Sequence, residues 1–321
     1  MLLWCAAALP SRAAAISENF ETDPALREWR RFGDASLFQW NTTNQHLEVT
    51  WDSSRTNSLF YRPLRTVLTM EDNFSFGFDL RLHDIAIGVN TDKPYTFEIA
   101  VGLCRFNGIT NANFFRGMGE IATFGPKNLV EFDYFPDSGF GNTVAPTVAA
   151  YHEHEIRFSN NPYELTTGDL FSVNMTYTAT NRVLRTVMTR NGAPFGPIQD
   201  LSLAGFPDFR VDTFAVISYS DALQPSRDFA GSILAHGTID NIRWNVPDPP
   251  LTAFRGDFTQ NAFRAEFDAK SNWVYRLEAT SDFLDWSLAE AKSAVTNGLM
   301  VLVDTEISPT RGFYRVSADR P

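Results

Sequence analysis

The residues best placed to do chemistry sit on one short segment, Leu129-Val130-Glu131-Phe132-Asp133-Tyr134-Phe135-Pro136-Asp137. On an extended chain, successive side chains point to opposite faces, so Glu131, Asp133, Phe135 and Asp137 share one face while Phe132 and Tyr134 take the other. Carboxylates crowded on one face repel unless a cation or an arginine neutralises them. Oxygen-only ligands of this kind suit Ca²⁺ or Mn²⁺ better than zinc. The alternative is an acidic strand that faces solvent or pairs with Arg157 of the next strand.

Other candidate groups are weaker. His152-Glu153-His154 puts two imidazoles on one strand face, or is simply a polar strand entry. Gly117-Met118-Gly119 loosely matches a dinucleotide loop, but no βαβ unit surrounds it. With Cys5 in the leader, Cys104 is left alone in an apolar run and reads as a small packed hydrophobe. Trp40 and Trp51 flank a strand pair and are the candidate carbohydrate-stacking rings, with a core role as the alternative for each. No Gly-x-Ser-x-Gly, His-Glu-x-x-His or Walker motif occurs.

The elements that must position these groups are β-strands. Phe74 to Leu82 alternates strictly, Phe171 to Tyr177 does the same, and Asn191-Gly192 after Val183–Arg190 supplies a type I′ hairpin turn. Only Ser287 to Ala294 admits two helical turns. Many short strands predict an all-β sandwich, with 28 phenylalanines to fill it. Residues 1–15 read as a signal peptide, with an apolar run and a small-residue cleavage site before Ile16 but no basic residue ahead of it. Val246-Pro247-Asp248-Pro249-Pro250 marks a linker at 247–250 between a domain at 16–246 and a small one at 251–321. The net charge of −11 divides as −2 on the small domain and −10 on the large one, with Arg12 of the leader making up the difference. Such acidity argues against nucleic acid and anionic membranes as partners.

The large domain resembles the concanavalin A-like jelly rolls, a family that spans laminin G-like modules, L-type lectins and several glycoside hydrolases. The likeness is general over Asn19-Phe20-Glu21 and Gly231 to Ile242, and specific at the Gly-rich stretch and the Val-Glu-Phe-Asp segment. What the lectin resemblance implies is a calcium site of Glu131, Asp133, the Phe135 carbonyl, Asp137 in place of an asparagine, and Asn142 in place of an aspartate. The histidine of that set falls on Thr147. The same strand is similar to the Glu-x-Asp-x-x-Glu signature of laminarinase-like hydrolases, but Pro136 stands where the proton donor belongs, which argues against that catalysis. The small domain, with Trp273 to Trp286 and Gly312 to Val316, resembles the immunoglobulin- or fibronectin-like appendages of secreted bacterial proteins, with Trp286 expected to plug its core.

The expectation is an exported, secreted or cell-surface protein, non-catalytic, that binds a polysaccharide or other glycan or mediates adhesion with calcium. The alternatives are a divergent hydrolase or lyase of the same fold and a structural envelope protein.

Overall fold

Alternating apolar residues organise the chain up to Val246 into two stacked antiparallel sheets. The computed structural model describes residues 14–87, 99–111, 114, 128–136, 142–151, 155–220, 233–259, 262–306 and 313–321. In chain order the first strands are β1 (Ala14–Glu18), β2 (Arg30–Phe32), β3 (Phe38–Asn41), β4 (His46–Asp52), β5 (Ser58–Leu68) and β6 (Phe74–Ile87). Next come β7 (Ile99–Cys104), the short helix α1 (Phe106–Ile109), β8 (Leu129–Phe135), β9 (Thr143–Ala149) and β10 (Ile156–Phe158). The unit is completed by β11 (Leu170–Thr178), β12 (Val183–Arg190), β13 (Ala193–Phe195), β14 (Leu201–Ser202), β15 (Val211–Ser218) and β16 (Ile233–Val246).

One sheet runs β13-β12-β11-β6-β16-β4-β3, with β1 on β16 and β14 on β12; the other runs β10-β9-β8-β7-β15-β5-β2. The chain passes repeatedly from one sheet to the other, which is the winding of a jelly roll. The inward faces meet in an aromatic core, where Trp29 stacks on Phe60 at 4.8 Å and Phe214 on Trp244 at 5.2 Å. The all-β sandwich expected from the alternation is therefore present. β1 starts two residues ahead of the expected Ile16, because Ala14 and Ala15 pair with Val246 and Asn245.

The Asn191-Gly192 turn forms as expected, with φ of 50° and 83°. Asp169 fastens it: Thr166, Arg190 and Asn191 all donate to its carboxylate, at 2.5, 2.7 and 2.6 Å. These donors, Thr166 first, hold the carboxyl down to about 2. Since the folded value lies below the ordinary 3.8, the stabilisation is present above that pH and is lost as the pH falls toward 2. Asp169→Asn should thus lower Tm at neutral pH by an amount that shrinks between pH 4 and 2; a pH-independent difference would refute this account of the turn.

The chain divides between Pro247 and Asp248. The second unit contains β17 (Leu251–Phe258), β18 (Phe263–Ala269), β19 (Trp273–Thr280), β20 (Ser287–Ala294), β21 (Gly298–Asp304) and β22 (Phe313–Asp319), in two three-stranded sheets ordered β17-β18-β21 and β20-β19-β22. Two expectations are corrected here. The stretch Ser287 to Ala294 is a strand, because its register on β19 outweighs the helical spacing. Trp286 does not plug the core: it is half-buried with the Arg315 guanidinium 4.1 Å above its ring, and Tyr275, Leu277 and Phe267 fill the interior instead.

Candidate functional site

The acidic strand is the first site to place. β8 runs between β7 and β9, pairing Glu131 with Gly102 and Thr147, and Asp133 with Ala100 and Ala145. Val130, Phe132 and Tyr134 enter the inter-sheet core, so Glu131 and Asp133 share the other face, as the alternation requires. That face is not solvated. Both carboxylates are fully buried beside a second apolar cluster that includes Tyr61, Cys104, Ile109, Phe114 and Tyr219. The Tyr219 hydroxyl donates to Glu131 Oε1 at 2.5 Å.

The solvent-facing alternative is thereby corrected, and so is the pairing with Arg157. Arg157 lies on β10, one strand beyond β9, and binds Glu155 and the carbonyl of Ala204. Among the described residues of the expected calcium set, Glu131, Asp133 and Phe135 share one face of β8. The Asn142 side chain is engaged elsewhere: its Oδ1 accepts from the Tyr134 hydroxyl at 3.5 Å, and that ring belongs to the core. Asp137 lies outside the described residues, as do Gly117, Gly119, His152 and His154. Among the described residues no three His, Cys, Asp or Glu side chains come together as a metal site. Cys104 packs as expected. Burial, and after it the charges of Asp212 and Glu131, push its thiol well above the usual range, so it stays inert.

The two tryptophans separate. Trp51 is only 1 % exposed and packs in the core with Gly237 behind it, so the expectation that it stacks on sugar is corrected. Its position on β4 alternates inward with Leu47 and Val49. Trp40 is only partly buried and lines two adjoining hollows, of about 520 and 830 Å³.

Those hollows flank the edge strand β3 of one sheet and reach the edge strand β2 of the other. The indole of Trp40 is fixed by a 2.9 Å hydrogen bond from its Nε1 to the Phe20 carbonyl. Phe20 in turn holds a left-handed φ of 55°, uncommon for an aromatic residue, and its N–H donates to the buried carboxylate of Glu18 at 2.7 Å. The turn Ala35–Leu37, capped by Asp34 through Ser36, carries Ser36 into both hollows.

The smaller hollow is lined by amides and hydroxyls (Ser36, Gln39, Asn41, Thr42, Thr50) with Glu48 and His236. Glu48 Oε1 accepts from Asn41 at 2.9 Å and lies 2.8 Å from His46 Nε2. Burial pushes that carboxyl up, but the bonds from His46 and Asn41 outweigh it and hold it below the ordinary value. His236 Nδ1 lies 2.7 Å from Asp84. The larger hollow has an aromatic floor of Trp29, Phe38 and Phe60 and a rim bearing Arg30 and Arg31. Sequence reasoning found Trp40 but not these partners, since polar residues on a strand read equally well as a solvated face.

No protein-family model matches the chain, and no curated protein matches it. Solved structures similar to it include peanut lectin with a nine-residue peptide, at 16% identity and a TM-score of 0.44 over 73% of this chain and 98% of that one. Lectin I from Ulex europaeus with the methyl glycoside of α-L-fucose is 11% identical, with a TM-score of 0.46 over 74% and 99%. The metal-free carbohydrate recognition domain of Emp46p is 12% identical, with a TM-score of 0.39 over 70% and 93%.

Proposed function

We propose that this chain is an exported carbohydrate-binding protein whose ligand lies across Trp40. One observation carries the reading: a fixed, partly exposed indole between two hollows, the smaller of which is otherwise lined largely by amides and hydroxyls. An aromatic face takes the C–H side of a sugar ring, while amides and hydroxyls exchange hydrogen bonds with its hydroxyl groups. Export and a role in surface adhesion accompany this reading as expectations from the sequence.

A bound calcium ion would belong to the other sheet. Glu131 and Asp133 are the carboxylates to which it is assigned, and they lie on β8, whereas the hollows are built on β3, β4 and the turn before them. A cation there would bear on stability, and groove binding should be independent of it.

The test is retention on immobilised polysaccharides and a glycan array, with and without EDTA. Wild type should bind at least one glycan equally in both conditions, and Trp40→Ala should weaken that binding about tenfold or more, the loss of one stacked ring. Trp40→Phe, which keeps a ring but not the bond to Phe20, should fall between them. Trp40→Ala binding as tightly as wild type would overturn the assignment.

A further inference from the structure

We propose that the ligand of the Trp40 hollows is an anionic glycan, a polysaccharide bearing carboxylate or sulfate groups, held by Arg31, with Arg30 beside it on the rim. This rests on the carbohydrate-binding reading and names its ligand class. The large unit carries most of a net charge of −11, so its surface as a whole repels polyanions. Against that background β2 presents two consecutive arginines on the rim of the larger hollow, both exposed.

Their neighbours show that this is not ordinary surface pairing. Arg27 binds Glu18 and the Thr22 carbonyl, Arg65 binds Glu28, Arg62 lies 4.0 Å from Glu28, and Arg55 lies 3.3 Å from Asp52. Arg30 and Arg31 take no carboxylate partner among the described residues. The one acid on the rim, Asp23, is engaged in capping the next turn, where its Oδ1 accepts from Ala25 N–H at 2.9 Å. In register, Arg31 lies opposite Phe60, which forms part of the floor, so its side chain belongs to the face that looks onto the hollow. Arg30 lies opposite Tyr61 on the other face and borders the hollow only at its rim.

The floor and rim therefore offer one ligand two things: an aromatic surface at Trp40 for a ring face, and guanidinium groups for an acid substituent of that ring or the next. Guanidinium matches carboxylate and sulfate in planar, two-pronged geometry, which neutral sugars cannot exploit.

The experiment compares polygalacturonate, alginate and hyaluronan with their carboxyl-reduced counterparts, and dextran sulfate with dextran, by isothermal titration or affinity electrophoresis on the full chain. At least one acidic polymer should bind about tenfold tighter than its neutral twin, and that preference should shrink as salt rises from about 50 to 500 mM. Arg30→Gln/Arg31→Gln, both exposed and therefore compatible with the fold, should abolish the preference while leaving residual binding, and Trp40→Ala should abolish both. Equal binding of acidic and neutral polymers, with arginine variants silent and Trp40→Ala defective, would overturn the anionic assignment and leave the carbohydrate site standing. Acidic binding that Trp40→Ala leaves intact, or no binding to any polymer, would overturn both.

Discussion

Gly102→Val should leave no folded large unit to purify. Gly102 sits in β7, between β8 and β15, in a strand whose every residue is buried. A Cβ placed there meets the Val130 carbonyl oxygen at 2.4 Å and the Glu131 Cα at 2.7 Å, both backbone atoms, and then the Glu131 Cγ at 3.2 Å. β8 cannot retreat, because β9 holds it from the other side. Overpacking ordinarily costs about 1–3 kcal/mol, and contact with backbone puts even Gly102→Ala at the upper end of that range. The two further methyl groups of valine carry the cost to about 5 kcal/mol, comparable with the whole stability of an ordinary domain. Gly108→Ala is the control: it lies in α1 and its nearest contact is Arg105 Cβ at 3.7 Å, so it should be neutral or stabilising by about 0.5 kcal/mol. Urea midpoints and soluble yield measure both. A Gly102→Ala protein with the wild-type midpoint would mean that β7 and β8 are more loosely joined than the geometry states.

The same glycine explains what the sequence could and could not disclose. Period-two alternation in Phe74 to Leu82 and Phe171 to Tyr177 marks strands directly, because one face of each meets the aromatic core. β8 keeps the alternation too, which puts Glu131 and Asp133 on one face. The alternation could not say whether that face is wet. The relevant signal lay on the neighbouring strands, where Ala100, Gly102 and Ala145 are small residues opposite the two acids, a pairing visible only once the register is known. Trp40 and Trp51 are indistinguishable by type and spacing. Trp51 lies on a strand whose inward face is committed to the core, while Trp40 lies on an edge strand, where packing leaves one side open. The rim arginines are illegible for a related reason: by residue type Arg30 and Arg31 look like Arg62 and Arg65, and which of them gains the acidic neighbour Glu28 is a fact of folding.

The second large effect should come from Tyr219. Its hydroxyl donates to Glu131 Oε1 at 2.5 Å with both groups buried, and its ring stacks on Phe114 at 6.0 Å. A hydrogen bond to a charged group contributes about 1.5–3 kcal/mol, against about 1 for a neutral pair. Tyr219→Phe keeps the ring and its stacking and removes only the donor, so it should cost about 2 kcal/mol. In a Glu131→Gln background the acceptor is a neutral amide oxygen, and the same change should cost about half as much. The cycle should thus show a coupling of about 1 kcal/mol, and additivity within about 0.3 kcal/mol would remove this bond from the account of the sheet. Melting the same four proteins and Asp133→Asn in EDTA and in Ca²⁺ then asks what balances two buried carboxyl groups two residues apart, since such a group persists only when protonated, paired or bound to a metal. With calcium in that role, chelation lowers the wild-type Tm, Ca²⁺ restores it more than Mg²⁺ does, and Asp133→Asn loses the response. A wild-type curve indifferent to both reagents would assign the balance to the protein's own groups and remove calcium from this strand.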